Sequence, residues 1–202
     1  VVMTFVGFMF IDSNLMDDRE KATLHSLLST HWNSVFIQYT LIYRASRDGW
    51  NSADFKKQCN VANTLTLIQS SKDGHINKFG GFTTKPWTPD SDEGPCKDSN
   101  AFLFLLTSSA KYPAGIFPVR PERAEYAVTH LQPYLCFFGE AGRCELLIRT
   151  NRESDTGALN YSTSEAFDEH HVIIKKDTQT YNIPIEHGPY YFLGNHDEYN
   201  TK

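Results

Sequence analysis

No Cys-x-x-Cys pair occurs in this chain, and no run of apolar residues comes near the length of a membrane span. Nor is there an excess of basic residues: 19 Lys and Arg stand against 24 Asp and Glu, for a net charge of −5. Each shortage excludes something. Without paired cysteines there is no zinc knuckle, and four cysteines (Cys59, Cys96, Cys136, Cys144) are too sparse for a small disulfide scaffold. Reduced, cytosolic thiols are the expectation. The longest apolar run, Val1 to Phe10, is about half of the roughly 20 residues that a spanning helix needs. It has no basic flank and no small-residue cleavage site, so it reads as a buried strand rather than a signal peptide. The acidic balance argues against a general nucleic-acid binder, because neutralising phosphates takes clustered Lys and Arg. A local basic patch is all that it leaves room for.

Several catalytic signatures are missing as well. No Gly-x-Ser-x-Gly elbow, P-loop or Gly-x-Gly-x-x-Gly turn appears, which lowers hydrolase and nucleotide-binding chemistry. His170, His171, His187 and His196, with Asp197 and Glu198, are the richest source of metal ligands. Adjacent histidines on a strand face opposite ways, and His196 and Glu198 lack the one-face spacing of a helical metal motif. No cofactor or metal is expected. A reactive thiol at Cys59, Cys136 or Cys144 is the enzymatic alternative, and it requires a lowered thiol pKa. Cys59 closes a helix, where the dipole opposes a thiolate, and Cys136 lies in an apolar strand. The run Asp90-Ser91-Asp92-Glu93-Gly94 reads as a solvated acidic loop, with calcium or a basic partner surface as the alternative.

What the chain does have is a core and regular punctuation. Hydrophobic residues make up 40% and aromatics 13%, enough to fill one domain of 202 residues. A chain opening at Val1 is expected to be a piece of something longer, with residues 1–12 as a leading strand or linker. Ser13 to Leu28 reads as a helix, Asp17 and Glu20 forming a capping box and Ala22, Leu24, Leu27 and Leu28 the apolar stripe. Residues 31–40 read either as an ordered insertion or as an extended strand entering Leu41. Thr64 to Ser70 and His75 to Thr84 read as a hairpin around Lys72-Asp73-Gly74. Gly80-Gly81 implies a bulge or a close backbone approach there. Trp87 to Asn100 reads as a surface loop, Ala101 to Leu106 as a central strand, and Lys111 to Glu125, with three prolines, as irregular. Tyr134 to Phe138 and Cys144 to Arg149 flank a glycine turn. A polar loop, Asn151 to Phe167, and a short strand, His171 to Lys175, follow. Strands at this spacing with helices early predict an α+β domain built on an antiparallel β-sandwich with a few flanking helices.

The densest local pattern is Leu41-Ile42-Tyr43-Arg44-Ala45-Ser46-Arg47-Asp48-Gly49-Trp50. It reads as a strand, an Arg-Asp-Gly turn with Gly49 taking positive φ, and a helix entry at Asn51-Ser52. Together with Asp54-Phe55, Cys59, Thr64 to Ile68, Phe79-Gly80-Gly81-Phe82-Thr83, Trp87 and Asn100 to Phe104, this order and spacing resembles the TLDc domain family, that of the eukaryotic oxidation-resistance proteins. The resemblance spans roughly Ser13 to Leu193. It implies the same sandwich and a non-enzymatic interaction domain. It further implies a cytoplasmic protein that binds peripheral subunits of the vacuolar-type proton-pumping ATPase and regulates it, with oxidative-stress resistance as the outcome. Nucleic acid and direct membrane insertion are not expected. The competing reading is a thiol-based peroxide-consuming or other redox enzyme.

The candidate contact residues are Arg44, Arg47, Asp48 and Trp50, with Thr83 and Trp87 from the surface around Phe79 to Trp87. Two guanidiniums suit a partner carboxylate, and Trp50 suits an aromatic anchor. In the alternative, Asp48 pairs with an arginine inside the fold and Trp50 belongs to the core.

Overall fold

The computed structural model describes residues 13–34, 36–49, 51–72, 74–88, 94–130, 134–140, 143–150, 170–173 and 180–184. Helix α1 runs Asp18–Trp32, with both halves of the capping box formed: Glu20 N–H donates to Asp17 Oδ1 at 2.8 Å and Asp17 N–H to Glu20 Oε2 at 3.0 Å. It starts later than the apolar pattern suggests and runs a turn further, to a left-handed Asn33. Residues 36–44 form no strand; they cross the surface as irregular chain. Two short helices follow, α2 (Ala45–Asp48) and α3 (Ser52–Cys59).

Among the described residues nine strands build two sheets, every pairing antiparallel. The first contains β1 (Thr64–Lys72), β2 (His75–Thr83), β4 (Phe102–Thr107) and β5 (Gly115–Pro118), in the order β1-β2-β4-β5. The second contains β3 (Gly94–Cys96), β6 (Val128–His130), β7 (Tyr134–Glu140), β8 (Arg143–Thr150) and β9 (His170–Ile173), in that order across the sheet. The expected α+β sandwich is present. The long hairpin, the central Ala101–Leu106 strand and the strands around the glycine turn also lie where the pattern placed them.

Alternation along β4 divides the interior. Leu103 and Leu105 face the second sheet, where they join Phe79, Phe117, Val128, Cys136, Phe138 and Leu146. Phe102, Phe104 and Leu106 face the other way, onto Leu24 and Leu28 of α1 with Met16 and Phe82. This two-sided burial is why β4 is apolar at consecutive positions. A partly buried staple fixes α1: Glu20 accepts from Lys78 Nζ at 2.5 Å and from Thr107 Oγ1 at 2.7 Å.

The paired glycines are a steric requirement. A Cβ on Gly80 would sit 1.8 Å from the Thr66 carbonyl oxygen, and one on Gly81 would sit 2.5 Å from the Phe138 ring. Gly80 thus allows a close backbone approach between β2 and β1 within the first sheet, and Gly81 leaves room for the second sheet's Phe138.

Three expectations need correction. Leu41 to Tyr43 is not a strand. The Arg44 N–H that a ladder would use instead donates to Asp48 Oδ2 at 2.7 Å, while Ile42 and Tyr43 pack on the sandwich core. The stretch after Trp87 is not simply a loop, since β3 pairs with β6 and Asp98 is buried. Lys111 to Glu125 is ordered: Pro118 ends an edge strand, and Pro121 opens a 3-10 helix, Pro121–Tyr126, both positions where a missing N–H costs nothing. The expected segments at residues 1–12 and 151–167 lie outside the described residues, as do Trp50 and Asp90 to Glu93.

Candidate functional site

The turn at α2 is made by its own charges. Asp48 ends the helix and folds back, taking the Arg44 amide with Oδ2. Its two oxygens also receive Arg47 through a fork: Nε to Oδ1 at 2.6 Å and a terminal nitrogen to Oδ2 at 2.7 Å. The Arg47 guanidinium, followed by the Arg44 amide, holds the Asp48 carboxyl down to about 2, so it is ionised across the physiological range. Arg47 nevertheless stays half exposed, at 50% of its side chain, against 17% for Asp48. The internal pairing of the alternative reading is thus present, yet one face of the guanidinium is open to solvent.

Gly49 then leaves the helix at φ 107 and ψ 159, a region that is almost entirely glycine's. A Cβ there would also lie 2.4 Å from Asp54 Oδ2. The Tyr43 hydroxyl donates to the Gly49 carbonyl at 2.5 Å, pinning the turn from below. Asn51 stands at the start of α3 as expected, but its side chain does not cap the helix; Nδ2 donates to Asp54 Oδ2 at 3.3 Å.

Beneath the turn runs a column of aromatic rings in edge-to-face and tilted contact. Tyr43 meets Phe55 at 5.2 Å between centroids, Phe55 meets Trp87 at 5.7 Å, and Trp87 meets Phe138 at 5.6 Å. Trp87 is 1% exposed and its indole N–H donates to Thr64 Oγ1 at 3.0 Å. Thr83 is fully buried, and its hydroxyl donates to Asp98 Oδ2 at 2.7 Å. Of the six candidate residues, Arg44, Arg47 and Asp48 come together at one turn. Thr83 and Trp87 lie under the surface as supports, and Trp50 lies outside the described residues.

The thiols are poorly suited to chemistry. Burial pushes Cys59 up to about 12, with the Asp48 charge adding to it, and burial raises fully enclosed Cys136 further still. Both shifts run opposite to the lowered value that a thiolate nucleophile requires. Cys59 and Cys136 are buried free cysteines. Among the described residues no group of three or more His, Cys, Asp or Glu is placed to hold a metal ion. His170 and His171 lie on β9; His187, His196, Asp197 and Glu198 are outside the described residues. No helix among the described residues is long and apolar enough to cross a membrane.

Sequence reasoning missed the acids that organise this region from inside. Asp98 gathers Thr83, the Thr84 amide and hydroxyl, and the Asn100 amide around one carboxylate. Glu145 is 1% exposed within the otherwise apolar run Cys144 to Ile148 of β8. Its signal was legible: an acid within Cys144 to Ile148 has no reason to be there unless the fold supplies donors.

The model of one family, described as the TLDc domain, matches residues 9–185 of the chain. Comparison with curated proteins and with solved structures gave no match. The glycine-dependent packing of two sheets, the Arg-Asp-Gly turn and this match over most of the length agree, and the chain belongs to the TLDc domain family.

Proposed function

We propose that this protein is a non-enzymatic interaction module that binds peripheral subunits of the vacuolar-type proton-pumping ATPase from the cytosolic side and regulates the pump, with oxidative-stress resistance as its cellular consequence. The family match over residues 9–185 carries this reading, since the partner is the one the TLDc resemblance implies. The contact surface is the α2 turn. Arg44 and Arg47 provide charge for an acidic partner segment, Asp48 sets their spacing, and Trp50 is the proposed anchor. Thr83 and Trp87 contribute by holding α3 and the β2 end rigid, which limits the entropy lost on binding.

The raised thiols at Cys59 and Cys136 speak against the redox alternative. The test uses the immobilised domain and detergent-solubilised membranes. Peripheral ATPase subunits should be retained by the wild type and by a variant with all four cysteines changed to Ala. They should be lost with Arg44→Glu plus Arg47→Glu in a protein that melts normally. Peroxide turnover that disappears with the cysteines, and no ATPase subunits retained, would replace the module with the enzyme.

A further inference from the structure

Strand β8 carries one residue too many for its partner. Phe138 faces Leu146 and Gly139 faces Cys144, so Glu145 is the extra residue of a β-bulge. Both Glu145 and Leu146 are buried at 1% exposure, although neighbours on a regular strand would face opposite ways. One oxygen of this acid has partners: Oε1 accepts from the Thr180 amide at 2.6 Å and from the Tyr181 amide at 3.4 Å. The other, Oε2, is buried with no hydrogen-bond donor.

Residues 180–184 join the two sheets. On one side they extend the first sheet past β5, with Arg120 N–H donating to Thr180 O at 2.8 Å and Asn182 N–H to Pro118 O at 3.0 Å. Val119 and Tyr181 form the bridge between them. On the other side the Tyr181 hydroxyl donates to Ala127 O at 2.5 Å, and Glu145 holds the amides from β8. The Tyr181 ring meets Phe138 edge to face at 6.4 Å, at the end of the aromatic column that begins under the α2 turn.

We propose that residues 180–184 form a pH-sensitive strap, held between the sheets by the buried carboxyl group of Glu145 and loosened when that group ionises. An ionised carboxylate with one oxygen facing no donor is costly to bury, and the neutral acid is far less so. Burial accordingly raises Glu145 to about 7, against the lowering effect of the Thr180 and Tyr181 donors. Among the described residues, no opposite charge acts on it. From the strap it faces Tyr181, whose phenol is held neutral by burial, and the Asp98 charge lies beyond. From β7 its neighbours are Phe138 and Gly139; the charged Glu140 there is occupied with Arg123 of the 3-10 helix. From β6 the titratable group is His130, turned towards Thr88 and Trp87. Arg120, beside β5, meets the strap through its backbone N–H, and β9 pairs with β8 only from Leu147 onward.

The sign follows from the raised value. The strap's grip is fully present below the ordinary carboxyl value of 4.5 and is lost as pH rises through about 7. Complete hydration of Glu145 on release would set a ceiling on the order of 300-fold on the change in docking equilibrium.

Hydrogen exchange of the Thr180, Tyr181 and Asn182 amides, corrected for intrinsic rates at each pH, tests this in the whole chain. Protection should fall at least about tenfold between pH 4.5 and pH 8 while the β4 amides of Leu103 and Leu105 hold steady. In Glu145→Gln the strap's protection should no longer depend on pH. In Tyr181→Phe it should drop at every pH and keep the wild-type slope. Protection that is flat with pH in the wild type, a slope that survives Glu145→Gln, or β4 amides that follow the strap would each overturn the proposal.

Discussion

At the scale of the residue, the candidate site depends on a glycine and an acid more than on the arginines that it displays. Asp48 was legible in the sequence as a member of the site, but its role was not: it takes the Arg44 amide and so converts an expected strand into a turn. That outcome depends on a side chain four residues ahead, which β-propensity does not register. Gly49 was legible as a turn residue because the Arg-Asp-Gly pattern requires a residue free to take positive φ. Gly49→Ala should cost about 1–3 kcal/mol from backbone strain alone. The clash with Asp54 adds to this. Urea denaturation measures it, and a loss under about 0.5 kcal/mol, within the range of ordinary surface changes, would contradict the strained-turn account. Gly81→Ala should cost a similar amount for a different reason, since its methyl meets the Phe138 ring and overpacks the sandwich.

At the scale of the element, α1 and β2 are joined by one carboxylate with three duties. Glu20 closes the capping box, pairs with Lys78 and accepts from Thr107. Burial works against its charge, but Lys78, Thr107 and the Asp17 amide outweigh it and lower its pKa. Its contribution is therefore present above 4.5 and lost as pH falls through its folded-state value, opposite in sign to that of Glu145. Glu20→Ala should destabilise the protein by about 3 kcal/mol at pH 7, because it leaves the Lys78 ammonium without its partner. The deficit relative to wild type should shrink as the pH is taken below 4, and chemical denaturation at both pH values checks it. The capping box could be read from Asp17 and Glu20, but the long-range pair could not, since 58 residues separate Glu20 from Lys78. For the same reason the short strands β3, β5 and β6 escaped notice. Each exists because a neighbouring strand supplies its ladder, not because three or four residues specify one.

At the scale of the whole molecule, edge-to-face and tilted ring contacts run from Tyr43 through Phe55, Trp87 and Phe138 to Tyr181, so the α2 turn and the strap rest on one aromatic column. Trp87→Ala removes its middle and should cost about 3–5 kcal/mol. It should also raise hydrogen exchange at Arg47, Asp48 and Gly49, whose amides bond within the turn. Trp87→Phe should keep the column while losing the bond to Thr64, with a smaller effect on both readouts. Unchanged exchange at those amides in Trp87→Ala would mean that the turn stands without the column. The central claim is that this domain acts by binding, and calorimetric titration into the purified peripheral sector of the vacuolar-type ATPase tests it most directly. The account predicts a saturable complex, weakened by added salt and at least tenfold by Arg44→Glu with Arg47→Glu, a loss of about 1.4 kcal/mol or more. No complex between folded partners at micromolar concentration would contradict it.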